Sequence, residues 1–377
     1  MVCLSLVAGG DVALGGTLSA CAAADLDARV RAVASLFASA DLSVASLDCA
    51  MAVDGASPNP EEYVVDAPTE NLLALQQLGL GMVSLANNHS TDRGIDALVN
   101  GREVLRKHGI ESVGAGGNES AARAPVIAEV AGCRVGFLAF GSAEPWVGSL
   151  PASGAIGGVA PLVETEAIAA VRELSQEVDA VVVCVHWGKE YVSLPAPAIV
   201  ALGRCLVDAG ASVVLGTHPH VPQAVETYGA GVICYSLGNL LFPGYPDQGL
   251  RFHGPGRQSI VASIRLQGGR ATVERLTVVS FDDEGYTSLV AAEEAERLLE
   301  KLASDVPMLG TQRHDRAWKQ AVRKHEMDRL RRVWREEVVA VGWRAGTSRL
   351  MRLGRKNLTS VGRSVGEILW SGKGEAR

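Results

Sequence analysis

The sequence of 377 residues lacks any apolar stretch of about 18 residues, the length that a membrane-spanning helix needs. Residues 1–10 are apolar, but they carry neither the basic segment nor the small-residue cleavage site of a secretory signal. These absences predict a soluble protein that works in the cytoplasm without a membrane partner. Residues 1–10 are then expected to form a buried first strand.

Paired cysteines are lacking as well. The seven cysteines are scattered, odd in number and without a CxxC pair. This spacing argues against a disulfide framework and predicts reduced thiols, most of them in the core. Cys49 has an alternative interpretation because it follows Asp48, where a thiolate would be a soft metal ligand or a nucleophile.

Positive charge is scarce in the first 300 residues and abundant after them. Residues 1–300 carry 17 Lys and Arg against 34 Asp and Glu, whereas residues 301–377 carry 18 against 8. The acidic body argues against nucleic-acid binding. We therefore expect a catalytic domain over 1–285 and a basic helical extension over 286–377. The extension either clamps an acidic leader peptide or packs on the domain as amphipathic helices, and its tryptophans are Trp318, Trp334, Trp343 and Trp370.

Apolar residues make up 47% of the chain, and up to about residue 280 short β-branched runs alternate with Ala- and Leu-rich segments of helical length. This alternation is typical of layered α/β proteins. From about residue 221 the strands follow one another across short turns, which indicates antiparallel pairing and two packed sheets. The predicted strands are Leu4–Ala8, Leu42–Leu47, Met82–Leu85, Val135–Phe140, Ala180–Val185, Ser212–Leu215, Val221–Thr227, Val232–Leu237, Ser259–Leu266 and Ala271–Phe281. The predicted helices lie near 26–39, 69–79, 94–108, 164–176, 197–209, 290–303, 315–340 and 358–370.

Polar side chains follow five of the predicted strands at the point where each strand ends. They are Asp11, Asp48, Asn88 with His89, His186, and His218 with His220. Because strands of a layered α/β protein expose such side chains at the carboxyl edge of the sheet, we expect them to converge. A lone Asp after a strand is more often a helix cap than a ligand, so the conjunction carries the prediction. Together they offer nitrogen and oxygen ligands suited to Zn, Mn, Fe or similar ions.

Further polar residues lie close to these motifs in sequence. Glu190 is either an acid/base group of the same pocket or a salt-bridged residue at its rim. Asn239 is expected to support the site from beneath. Residues 243–258, rich in Gly and Pro, form either a flap that brings His253 to the site or a surface excursion. The remaining histidines are expected on helix surfaces: His108, His314 and His325.

The ordered motifs GDVALGG, SLDCAM, SLANNHSTDRG, HWGKEY, GTHPHVPQ and YSLGN resemble those of the CapA (poly-γ-glutamate capsule) family over about residues 3–242. That family is a branch of the calcineurin-like metallophosphatases. The resemblance implies an α/β/β/α four-layer sandwich, here followed by the C-terminal helical extension. It also implies a site for one or two divalent ions, with Zn, Mn, Fe, Mg and Ca all open.

The resemblance implies roles for individual residues, position by position. Asp11, Asp48 and His220 would face one metal, and Asp48, Asn88, His186 and His218 would face the other. His89 would support the site or take part in catalysis. Two positions depart from the pattern, because Ala13 stands where the wider superfamily has a histidine and Asp48 where capsule proteins commonly carry Glu. The membrane anchor usual in extracellular capsule proteins is also lacking, which favours a cytosolic site of action.

A bound divalent ion can activate water, or it can polarise a carbonyl so that the adjacent C–H becomes acidic. The sequence is similar to cytosolic CapA-like proteins of ribosomal peptide modification, among them lasso-peptide epimerases. The expected function is therefore Cα epimerisation, L to D, at or near the C-terminus of a precursor peptide. His89, Asp11, His186 and Glu190 supply the acid and base. The alternatives are a metal-dependent phosphoesterase or amide hydrolase, a poly-γ-glutamate capsule protein, and a protein that only binds a polyanionic peptide; a homo-oligomer stays open.

Overall fold

The computed structural model describes residues 3–51, 63–142 and 149–333. The strands are β1 (Cys3–Val12), β2 (Leu42–Leu47), β3 (Met82–Ser84), β4 (Glu111–Val113), β5 (Ala115–Gly116), β6 (Val126–Val130), β7 (Cys133–Gly141), β8 (Gly158–Val159), β9 (Ala180–His186), β10 (Val213–Thr217), β11 (Val225–Tyr228), β12 (Gly231–Cys234), β13 (Asn239–Leu241), β14 (Gln258–Gln267), β15 (Arg270–Phe281) and β16 (Thr287–Leu289). The helices are α1 (Ala23–Ala38), α2 (Leu73–Leu78), α3 (Gly94–Lys107), α4 (Glu119–Arg123), α5 (Glu164–Leu174), α6 (Pro197–Asp208), α7 (Ala292–Asp305) and α8 (Gln312–Val333).

Two sheets form the centre of the molecule. The first has the strand order β16-β15-β14-β1-β2-β3-β4, and β13 also pairs with β1. The second has the order β11-β12-β10-β9-β7-β6. Strands β1 to β4 are parallel, as are β7, β9, β10 and β12, so each sheet has one edge at which several carboxyl ends lie together.

The core lies in three apolar layers. Along β1, Leu4 and Leu6 pack between the sheets, whereas Val7 points to the side covered by α1, α2 and α3. The outer face of the second sheet packs against α5 and α6, for example through Val171 and Leu206. Each such buried side chain contributes about 1.5–3 kcal/mol relative to exposure. The two sheets pack face to face and helices cover their outer faces, which confirms the predicted α/β/β/α sandwich.

Some predicted elements differ from those observed. The helix expected over 69–79 begins with a 3₁₀ turn over Thr69–Leu72, where the Asn71 amide donates to the carbonyl oxygens of Leu14 and Leu18. The strand expected over Val221–Thr227 begins only at Val225, because Pro222 has no N–H to donate to a ladder. The antiparallel pairs are confirmed but lie in different sheets: β11 with β12 in the second, β14 with β15 in the first.

The chain forms one compact unit up to Trp318 and a second from Lys319. Helix α7 belongs to the first unit, where Leu302 is buried beside Ala271 of β15. The second unit is described as far as residue 333. The rest of the predicted helix over 315–340, the helix over 358–370, Trp334, Trp343 and Trp370 lie outside the described residues. The boundary after residue 285 and the peptide clamp stay predictions.

His314, predicted on a helix surface, is fully buried. Its Nε2 lies 2.9 Å from the carbonyl oxygen of Pro195, and the backbone N–H of Gly310 donates to its Nδ1 over 3.2 Å. The prediction was wrong because the start of α8 folds back onto the loop before α6. The imidazole joins these two segments.

Candidate metal centre

Two carboxylates from the first sheet lie at the centre of the site. Asp11 is near the end of β1, Asp48 directly follows β2, and both are fully buried. Oδ2 of Asp11 accepts a hydrogen bond of 3.0 Å from the backbone N–H of His218. Among the described residues, nothing donates a hydrogen bond to Oδ1 of Asp11 or to either carboxylate oxygen of Asp48. Burying unpaired carboxylates is costly, so this pair fits a bound cation.

Asn88 and His89 follow β3 on a turn that Asn87 holds in place. The Asn87 amide donates to the carbonyl oxygen of Leu47 at 2.7 Å, and its Oδ1 accepts from the backbone N–H groups of His89 and Ser90. This ties the turn to the end of β2, next to Asp48. Oδ1 of Asn88 is thereby placed among the ligands of the second sheet.

His186, the last residue of β9, joins the two sheets. Its Nε2 lies 2.6 Å from Oδ1 of Asn88 and 3.1 Å from Nδ1 of His218, while its Nδ1 lies 3.0 Å from the hydroxyl of Thr217. Asp11 is 3.7 Å from this imidazole and Asp48 is 3.9 Å away. His186 therefore lies within reach of predicted ligands from both sheets.

The segment His218-Pro219-His220 makes a turn directly after β10. His218 has a φ of 92° and His220 a φ of 56°, conformations that cost non-glycine residues about 1–3 kcal/mol each. Nδ1 of His220 lies 2.9 Å from Oδ1 of Asn239 and 3.7 Å from Asp11. The strained turn aims both imidazoles inward, and Asn239 supports the site as predicted.

Protonation is set by burial and by neighbouring charges. Burial raises the pKa of Asp11, and burial together with the charge of Asp11 raises the pKa of Asp48 to about 7. Burial is also the main cause that lowers the pKa of His218 to about 4 and the pKa of His186 well below its usual value. The two imidazoles are therefore neutral, as metal ligands must be, while the carboxylates favour a proton or a cation.

The ligand atoms form two close sets. Asp11, Asp48 and His220 have ligand atoms within 4.8 Å of one another, which brings together the three residues expected at one metal. Asn88, His186 and His218 adjoin this set, as expected for the other metal. A second close set consists of Glu190, His218 and His220. Imidazole, carboxylate and amide ligands suit borderline and hard divalent ions, and the metal stays open.

His89 lies at the edge of the cluster with one nitrogen engaged. Its Nδ1 is 2.8 Å from Oδ2 of Asp92, and its side chain is 15% exposed. Burial alone would lower the pKa of His89, but the charge and hydrogen bond of Asp92, with the charges of Asp48 and Glu190, raise it to about 9. His89 can therefore carry a proton to a bound substrate through Nε2.

Two aromatic side chains, Phe252 and Tyr191, lie beside the imidazole of His220. The ring of Phe252 lies 5.5 Å from the His220 ring and that of Tyr191 lies 5.9 Å away. The carbonyl oxygen of Gly256 accepts a hydrogen bond from the Asn239 amide. Part of the segment 243–258 thus packs against the site, which favours the covering role over a surface excursion, although His253 itself is exposed.

Two residues that support the site were not predicted from the sequence. Asp92 holds His89, and the sequence signal for it is a carboxylate three positions after the histidine on a turn. Thr217 holds Nδ1 of His186, and its signal is only the position next to His218.

Cys49 is buried in the helix-side core, where burial raises the pKa of its thiol, so it is a packing residue rather than a nucleophile.

A family model described as bacterial capsule synthesis protein PGA_cap matches residues 5–244. The chain belongs to this family. The matched range contains every predicted ligand as well as His89 and Glu190, and the expected resemblance to capsule proteins is confirmed. The narrower resemblance to lasso-peptide epimerases stays a prediction.

Two relatives from the capsule synthesis family show how far their sequences have diverged from this one. The chain is 28% identical over 273 residues to the capsule biosynthesis protein CapA of Bacillus anthracis, covering 71% of this chain and 64% of that protein. It is 33% identical over 190 residues to the PGA biosynthesis protein CapA of Bacillus subtilis, covering 50% of this chain and 48% of that protein. The similarity thus spans about half to two thirds of these relatives.

Solved structures resemble the chain more loosely. The calcineurin-like phosphoesterase YfkN from Bacillus subtilis aligns with a TM-score of 0.40 and 14% identity, covering 84% of this chain and 99% of that one.

Among the described residues, no helix combines the length and the apolar character that crossing a membrane requires.

Proposed function

We propose that this chain is a metal-dependent acid/base enzyme of the cytoplasm that hydrolyses an amide bond in a peptide rich in carboxylates. The observation that carries the proposal is a buried ligand cluster next to a His–Asp pair. Unpartnered carboxylate oxygens of Asp11 and Asp48 adjoin neutral imidazoles, and His89 lies beside them with Asp92 on its Nδ1. Hydrolysis needs one activated water and one acid that protonates the leaving group. In this arrangement His89 can be that acid.

A cation held by these residues would supply Lewis acidity and lower the pKa of water. Thr217 would fix the orientation of His186 through Nδ1, which leaves Nε2 of His186 and Oδ1 of Asn88 to face the cation. Against the effect of burial, the charge and hydrogen bond of Asp92 raise the pKa of His89, so His89 can give a proton to the leaving amine through Nε2. Such proton transfer contributes about 10²–10⁴-fold to a rate.

The substrate class rests on two features. Relatives are named for capsule and PGA biosynthesis, and the resemblance links these names to poly-γ-glutamate, which favours a peptide bearing carboxylates over a small phosphoester. The imidazole that the wider superfamily has in its first motif is replaced by Ala13, which is buried and whose N–H donates to the carbonyl oxygen of Leu241. We propose that this change separates the site from phosphoesterases of the superfamily.

The second candidate is Cα epimerisation, L to D, at or near the C-terminus of a ribosomally made lasso precursor peptide. One observation favours it. Glu190 is half-buried near His218 and His220, where its carboxylate could take the second proton that epimerisation requires. Epimerisation needs a base and an acid on opposite faces of the substrate, so Glu190 would have to be free of a cation.

One experiment separates these reactions. The full-length protein, stripped of metal and reloaded with Mn²⁺ or Zn²⁺, is incubated in deuterium oxide with short synthetic peptides that end in α- or γ-linked glutamate. Mass spectrometry is expected to show released glutamate and no deuterium on Cα of the remaining peptide. Deuterium on Cα without cleavage would establish the second candidate instead. Release of nitrophenolate from p-nitrophenyl phosphate, with every peptide intact, would overturn the peptide assignment.

A further inference from the structure

The resemblance to the capsule family leaves Glu190 outside the metal ligands, yet the structure places its carboxylate within 4.8 Å of ligand atoms of His218 and His220. A cation at the centre of three atoms so spaced lies at most about 2.8 Å from each, and small side-chain shifts give the 2.0–2.2 Å that Zn²⁺ requires. Three protein ligands with open positions are typical of catalytic metal sites. The set is therefore a complete site by composition and spacing.

The backbone holds Glu190 in this position. Gly188 turns the chain after β9 with a φ of 90°, and the N–H of Tyr191 then donates over 2.8 Å to the carbonyl oxygen of Pro219. Pro219 is the residue between the two histidines. Glu190 is thus attached by backbone contacts to the turn whose imidazoles it faces.

Glu190 has no competing partner among the described residues. None of them donates a hydrogen bond to its carboxylate, and the groups whose charges act on it are those of His218, His220, His89 and Lys189. A salt-bridged surface glutamate would instead pair with Arg or Lys, as Glu226 does with Arg204 at 2.6 Å. The interpretation of Glu190 as an ordinary rim residue therefore lacks support.

We propose that Glu190 is a cation ligand that, with His218 and His220, completes at the rim of the cluster the second cation position to which the resemblance also assigns Asp48, Asn88 and His186. His220 belongs to this set and to the buried set with Asp11 and Asp48, so the two positions are adjacent. The buried set has two carboxylates and the rim set has one, so the buried position fills first. This role of Glu190 is compatible with amide hydrolysis, whereas it excludes Glu190 as the base of an epimerisation.

The test is a count of bound cations. Full-length protein stripped with EDTA is titrated with Mn²⁺ by calorimetry, and bound metal is counted by elemental analysis. Wild-type protein is expected to bind two Mn²⁺ with unequal affinity. Glu190→Gln keeps the shape of the side chain and is expected to lose the weaker ion or to bind it at least tenfold more weakly. Glu173→Gln, on the exposed face of α5, is the matched control and should bind two ions like the wild type.

Further variants keep the test decisive. Asp48→Asn is expected to weaken the tighter ion, which assigns the two affinities to the two sets. Thermal melts of the metal-free variants report that each has folded. A wild-type stoichiometry of one Mn²⁺, or a folded Glu190→Gln protein that binds two ions with wild-type affinities, would overturn the proposal. Neither outcome bears on amide hydrolysis, which the peptide assay measures separately.

Discussion

The carboxylate of Asp11 accepts a hydrogen bond from the backbone N–H of His218, and this contact joins the end of β1 to the strained turn after β10. Asp11 therefore has two tasks, since it holds the turn and also offers an unpartnered oxygen to a cation. Substitutions at this position can separate the two.

Asp11→Asn keeps an oxygen acceptor for the His218 N–H but removes the negative charge. We expect cation affinity to fall at least tenfold, while the metal-free protein keeps or gains stability because a buried charge is gone. Asp11→Ala leaves the N–H without its acceptor and should cost about 1–3 kcal/mol of unfolding free energy. Metal titration and urea denaturation measure the two effects. Unchanged cation affinity in Asp11→Asn would exclude Asp11 as a ligand.

The stability of the metal-free protein should depend on pH through Asp48. Its pKa is raised from 3.8 to about 7 in the folded chain, so the folded state holds a proton that the unfolded state has released. Stability is then fully present below about pH 4 and is lost as the pH rises through 7, at up to about 1.4 kcal/mol per pH unit. Denaturation at about pH 5 and pH 7, with and without Mn²⁺, measures this loss. Asp48→Asn should remove this contribution to the slope, and saturating metal should oppose it.

His89→Gln is expected to lower kcat about 10²–10⁴-fold and leave bound metal unchanged, because His89 lies outside both ligand sets. Asp92→Asn should act in the same direction, and the pH profile should shift down because the charge that raises the pKa of His89 is lost. Peptide turnover against pH and metal content are the two measurements. Loss of metal together with activity would instead identify His89 as a ligand.

Gly216 of β10 leaves room for the main chain of Tyr235. A Cβ at this position would overlap the Tyr235 carbonyl oxygen and lie 2.6 Å from Nε1 of Trp187. Gly216→Ala should therefore cost about 1–3 kcal/mol and, by shifting the neighbouring Thr217, weaken cation binding. Gly81→Ala is the control, since its Cβ would meet only the Ser43 hydroxyl at 3.6 Å. Equal melting temperatures for the two variants would contradict this account.

His314 provides a test of a purely structural histidine. His314→Ala removes one buried and one partly buried hydrogen bond and should cost about 1–3 kcal/mol of unfolding free energy, with cation affinity unchanged. The exposed His253 is the control, and His253→Ala should alter neither quantity. A change of metal affinity in His314→Ala would show that the start of α8 influences the site.

Much of the site could be predicted because its geometry is local. Asp11, Asp48 and His186 lie at strand ends, and strands with apolar residues on both faces are readily recognised. Parallel strands of a covered sheet must bring such ends to one edge. The four layers follow from the same alternation of strands and helices.

The missed features depend on contacts between distant segments or on turn geometry. Glu190 was expected in the pocket or at its rim, and the choice stayed open because its position depends on a backbone hydrogen bond from Tyr191 to Pro219 that no sequence period reveals. Burial of His314 depends on Pro195, 119 positions earlier. The hydrogen bond between Asp92 and His89 depends on the turn that Asn87 fixes. In each case tertiary packing, rather than local propensity, decides where the side chain lies.

His186 bridges ligands from the two sheets, which has a consequence for how the protein is made. Asp11, Asp48 and Asn88 come from one sheet, whereas His186 and His218 come from the other, so no segment released early from the ribosome contains the whole set. Metal binding at such a site is coupled to folding. A cation held by this set would therefore bind late in biogenesis, after the chain has reached its native topology.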